Sequence, residues 1–111
     1  MNPSFNYFIG KSSAAIYKIC IGKGNAKERL IESELEIRCA LRAPVPDELI
    51  SLKNKIKKNL LYSGQGEGGA AEGSIARSLL GKRNSTASKF IADIIRLHHE
   101  VEAYIKYSSH N

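Results

Sequence analysis

From Asn84 to Tyr107 the chain spaces its apolar residues as a helix uses them. Phe90, Ile91, Ile94, Ile95, Val101 and Ile105, with His98 among them, recur at steps that gather on one side of a 3.6-residue turn. Asn84 or Ser85 starts the run, and both are residue types that cap helices. A helix over about 85–107 is roughly 33 Å long at 1.5 Å per residue. A stripe of that length needs an equally long apolar surface against it. The remainder of the 111 residues must therefore pack along this spine, which predicts a single domain, 1–111, with one core.

Two further helices are predicted. Asn25, followed three positions on by Glu28, reads as a capping box, and a helix over 26–41 places Leu30, Ile31, Leu35, Ile37 and Leu41 on a broad apolar side. The Ala43-Pro44-Val45-Pro46 run ends it. Pro46, Asp47 and Glu48 then open a helix over 46–61, with acids placed well for the dipole. Leu49, Leu52, Ile56 and Leu60 form its inner face.

The N-terminal segment reads differently. Phe5, Tyr7 and Ile9 alternate with Asn6 and Phe8, and Ala15, Tyr17, Ile19 and Ile21 alternate with Ile16, Lys18 and Cys20. Gly10-Lys11-Ser12-Ser13 separates the two runs. Period-two alternation of β-branched and aromatic residues about a glycine predicts a β-hairpin over 4–21. Two strands alone are marginal, so the hairpin is expected to pack on helices or to pair with a second copy, giving a homo-oligomer through the hairpin. The predicted fold class is α+β: an N-terminal two-stranded β-hairpin on three or four α-helices, with a long C-terminal helix.

Residues 63–73 hold Gly64, Gly66, Gly68, Gly69 and Gly73 without an apolar anchor, which predicts a flexible glycine-rich loop. A short helix over 75–80 follows, ended by Gly81. The loop does not match a nucleotide cradle, because those motifs follow a strand and this one follows a lysine-rich helix. Gly81-Lys82 does not complete a Walker motif either: Arg83 stands where Ser or Thr is needed.

The net charge of +6 is unevenly distributed. Residues 1–27 carry four lysines and no acid, 53–66 four lysines and no acid, and 73–92 two arginines and two lysines and no acid. Folded onto one face, these stretches make a field that attracts phosphates. The candidate contacts are Arg77, Lys82, Arg83, Asn84, Ser85, Thr86 and Lys89, where cations and hydroxyls meet a helix start. Lys53, Lys57 and Lys58 are supporting phosphate contacts, although lysines late in a helix also suit its dipole. Tyr62, Tyr104 and Tyr107 either stack on bases or cap the core.

Other chemistry is thinly represented. Cys20 and Cys39 lack Cys or His neighbours at metal spacing and read as buried reduced thiols. His98 and His99 point to different sides of a helix, and His98 with Glu102 supplies too few ligands for a metal. Neither cofactor nor metal is expected. No apolar run approaches the roughly 18–20 residues that span a bilayer, and the start of the chain lacks the apolar stretch of a signal peptide. A cytoplasmic protein that does not enter membranes is the expectation.

Ile75 to Ile91, with Ala76 in a first helix, Gly81 at the turn and a hydroxyl-rich second helix start, resembles the helix-turn-helix unit of DNA-binding proteins. Asn6-Tyr7-Phe8-Ile9, Ile19 to Asn25, and Arg29 are similar to the two-strand core of GIY-YIG endonucleases, a resemblance that implies phosphodiester cleavage. The leading expectation is a small non-enzymatic nucleic-acid-binding protein. A protein-interaction module, either self-associating or binding an acidic partner, comes second, and a nuclease third.

Overall fold

The computed structural model describes residues 4–61 and 73–108. Among these residues six helices follow one another: α1 (Asn6–Ile21), α2 (Ala26–Glu32), α3 (Glu34–Arg42), α4 (Ile50–Leu60), α5 (Ile75–Ser78) and α6 (Asn84–Ser108). A 3-10 turn, Asp47–Leu49, leads into α4. Among the described residues there is no strand, so the α+β class is corrected to an all-helical bundle. The glycine-rich loop predicted over 63–73 falls, apart from Gly73, outside the described residues.

Residues 4–21 are not a hairpin, because a second period runs through the same segment. Phe8, Ser12, Ala15 and Ile19 are buried at steps of four, three and four, which is one face of a helix. Ser12 and Gly10 disguise that face by putting a polar residue in the stripe and a turn-former beside it. Gly10 sits in the middle of α1 without a positive φ, where it costs about 1 kcal/mol of helix propensity. Burial of Phe8, Ala15 and Ile19 outweighs that, at about 1.5–3 kcal/mol for each large side chain.

The capping box of Asn25 and Glu28 closes the start of α2: Asn25 Oδ1 accepts from the Glu28 amide at 2.9 Å, and Glu28 Oε1 from the Asn25 amide at 3.0 Å. The helix is then interrupted at the buried Ser33. Its Oγ donates to the Arg29 carbonyl at 2.8 Å, a local bond that competes with the helical ladder and bends it. The segment is therefore two helices, α2 and α3.

The core lies where four helices meet. Phe8 and Ala15 of α1, Ile37 and Leu41 of α3, Ile56 of α4, and Ile94 and Leu97 of α6 enclose its centre. Leu30, Ile75, Leu79 and Val101 are equally inaccessible and extend it to α2, to α5 and along α6. Glu34 fastens the chain that enters α5. Its Oε1 accepts from the Ile75 amide at 2.9 Å and its Oε2 from Arg38 Nε at 3.0 Å, while Arg38 also donates to the Gly73 carbonyl at 2.8 Å.

Candidate nucleic-acid interface

The corner between α5 and α6 is built from the inside out. Ile75 and Leu79 are fully buried and pin a single helical turn, capped by Ser74 Oγ, which accepts from the Arg77 amide at 3.1 Å. Gly81 turns the chain at φ +74°, a conformation that glycine adopts without strain. Anchoring these two apolar residues leaves Arg77, Lys82 and Arg83 exposed. Helix α6 then begins with the Arg83 carbonyl accepting from the amides of Thr86 and Ala87, both at 3.1 Å.

The first turn of α6 carries no acid. Helix starts ordinarily favour acids because the dipole is positive there. Here Lys82 and Arg83 add charge of the same sign, and Ser85 and Lys89 are exposed beside them while Thr86 is half-buried. The electropositive end of the longest helix is thus reinforced by its flanking sequence.

A cleft of about 220 Å³ opens at this corner, lined by Lys58 and Asn59 of α4, Ser78 of α5, Lys82 and Phe90. Two lysines from separate acid-free stretches share it. Ser78 Oγ is buried and makes no hydrogen bond among the described residues. The third stretch reaches the same end of α6, because Asn84 Oδ1 accepts from the Lys27 amide at 3.1 Å. Asn84 therefore caps α2 from another helix, and its amide oxygen is already engaged.

Lys53 stands apart from the cleft. Its Nζ donates to the Ala43 carbonyl at 3.0 Å, and burial, followed by the charge of Lys57, lowers its pKa. Lys57 is half-buried beside it. The Lys53 bond shapes the packing of α4, and of the three candidate lysines on that helix it is Lys58 that lines the cleft. Asn59, Ser78, Phe90 and Lys27 were not among the candidates. Phe90 reads as core by its spacing, and neither Asn59 nor Ser78 carries a signal without the fold.

A second polar cluster runs from the core to the surface. Ser12 Oγ is 2.6 Å from His98 Nδ1, and Glu102 Oε1 is 3.5 Å from His98 Nε2 and 3.3 Å from His99 Nδ1. A serine, a histidine and a carboxylate in series have the composition of a nucleophilic relay. Ser12 is 1% exposed, however, so its hydroxyl has no access to a substrate, and the cluster acts to fasten α1 to α6. Burial lowers the His98 pKa, Glu102 opposes that shift, and His99 adds to it.

The residues similar to a GIY-YIG core lie in α1 and the turn after it, and Arg29 Nε donates to the Gly24 carbonyl at 3.0 Å. The two strands that such a core requires are absent among the described residues. The helix-turn-helix resemblance meets a first helix of four residues, a packed corner with a single turn. Cys20 is exposed rather than buried, Cys39 is half-buried, and both are free thiols. Among the described residues no helix is long and apolar enough to cross a membrane. In comparisons with protein families, with curated proteins and with solved structures, nothing matches this chain.

Proposed function

We propose that this chain is a small non-enzymatic nucleic-acid-binding protein that grips phosphates at the corner of α4, α5 and α6. The observation that carries the reading is the shared cleft: Lys58 and Lys82, 24 positions apart in the sequence, line one opening beside an acid-free helix start. Cations brought together this way release counterions on binding, which gives affinity independent of sequence and steeply dependent on salt. Arg77, Arg83 and Lys89 are exposed on the segments that flank this corner in sequence.

The test is anisotropy of a labelled oligonucleotide at two salt concentrations. The wild type should lose affinity steeply as salt rises, and Lys58→Ala with Lys82→Ala should flatten the salt slope by about one per phosphate contact removed. Absence of binding to any oligonucleotide at low salt would sink this reading.

A protein-interaction module is the second reading, favoured by the outer face of α1. Tyr7, Gly10, Ala14, Tyr17 and Ile21 are all exposed, at the three–four spacing of a coiled-coil seam. The occupant that fits is a second copy. Antiparallel pairing about Ala14 sets Tyr7 against Ile21 of the second copy and Tyr17 against Gly10, where nothing lies within 4 Å of an added Cβ. Lys11 of each copy then faces the Lys18–Glu36 ion pair, which spans 3.5 Å, of the other. This helix face replaces the strand edge expected over 4–21. Sedimentation should give a dimer that Ala14→Glu converts to a monomer, and a wild-type monomer at high concentration rejects the pairing.

A further inference from the structure

The cleft at the α4–α5–α6 corner has a wall that phosphate binding alone does not use. Phe90 lines it together with Lys58 and Lys82, half-buried and packed against the core. Bases within a duplex are stacked and offer no face to such a wall, whereas unpaired bases stack on aromatic rings. The volume, about 220 Å³, is below the roughly 300 Å³ at which pockets for drug-sized ligands begin, which suits one flat heterocycle. One lining residue carries the groups that the edge of a base needs. Asn59 brings an amide with both donors and an acceptor. The Ser78 hydroxyl oxygen is itself buried, without a hydrogen-bond partner among the described residues, so it lies behind the wall and out of a ligand's reach.

We infer that this cleft holds a single unpaired nucleotide, with Lys58 and Lys82 on its phosphates, Phe90 against its base, and Asn59 addressing the base edge. The assignment rests on the nucleic-acid reading above and narrows it: the ligand is single-stranded, and duplex contacts are confined to the exposed cations. Phe90 is the residue that separates the two ligand classes. Lys58 and Lys82 contribute to both.

The experiment compares labelled 12-nucleotide single strands of DNA and of RNA with the corresponding DNA duplex, at one low salt concentration. Single strands of at least one of the two sugars should bind about ten-fold tighter than duplex, the sugar preference identifying the ligand. Phe90→Leu should weaken single-strand binding about ten-fold, the scale of one lost stacking contact, with the salt slope unchanged. Phe90→Tyr should retain it. In the wild-type protein, independently of how any variant folds, a 5-iodouracil strand should photocrosslink to the peptide that carries Phe90. Duplex bound as tightly as single strand, or crosslinks that avoid Phe90, would overturn the inference while salt-dependent binding through Lys58 and Lys82 stands. Loss of all binding at low salt would overturn the broader reading with it.

Discussion

Ser12 Oγ and His98 Nδ1 lie 2.6 Å apart, both side chains buried, and join helices whose residues are 86 positions apart in the chain. The Ser12 hydroxyl pairs with Nδ1, and Nε2 faces the Glu102 carboxylate 3.5 Å away. Protonation of Nδ1 would turn the hydroxyl toward the Ile9 carbonyl at 3.3 Å. Burial opposes the cation that results, and the folded pKa of His98 falls below its ordinary value of 6.5.

Stability should therefore depend on pH with a definite sign. The unfolded chain takes up the His98 proton first, so the stabilisation is complete above about 6.5 and is lost as pH falls from there through the folded value. Denaturation midpoints at pH 7.5 and 5.5 should differ in the wild type, and the difference should shrink in His98→Leu. An equal slope in both proteins would mean that His98 does not set it.

Ser12→Ala should destabilise by about 1–3 kcal/mol, because it leaves the buried Nδ1 without a partner. Ser12→Ala combined with His98→Leu should cost less than the sum of the two, since no buried polar atom is then stranded. Urea denaturation of the four proteins measures the coupling.

Glu34→Ala should release the entry to α5. It frees the Ile75 amide, which donates to Glu34 Oε1 at 2.9 Å, and frees Arg38 from the contact that orients it toward Gly73. Hydrogen exchange at Ile75 should accelerate at least ten-fold, the equivalent of about 1.4 kcal/mol of local stability. Exchange in α6 should stay near the wild-type rate.

Gly81→Ala isolates a backbone effect. An added Cβ meets nothing within 4 Å, so the cost is that of placing an L-residue at φ +74°, about 1–2 kcal/mol. A loss much larger than this in thermal denaturation would show that packing as well as conformation is involved.

Lys53→Ala and Lys82→Ala should separate packing from binding. Lys53 is held on the Ala43 carbonyl, so its loss should lower stability by about 1 kcal/mol and leave the salt dependence of oligonucleotide binding unchanged. Lys82 is exposed on the cleft, so its loss should do the reverse.

The long α6 is legible in the sequence because its stripe is long and nearly free of interruption, and the Asn25–Glu28 capping box is legible because it is local. The basic segregation can also be read, since charge needs no fold to be counted. Helix α1 could not be read correctly. Its alternating aromatics fit two periods at once, and the polar residue in its buried face is satisfied by His98, a partner that sequence spacing does not reveal. The break at Ser33 was hidden for a related reason: a serine within a helical pattern either faces solvent or bends the backbone, and burial decides between them.

Sequence alone determined the spine, the Asn25–Glu28 capping box and the three acid-free stretches, each a property of residues within a few turns of one another. Tertiary structure decided that residues 6–21 are helical, that Lys53 is committed to packing, and that Lys58 and Lys82 face one cleft with Phe90. Those outcomes depend on which distant groups share a buried or cationic environment. A hydrogen bond to His98 or a common opening between α4 and α6 arises only when the helices pack.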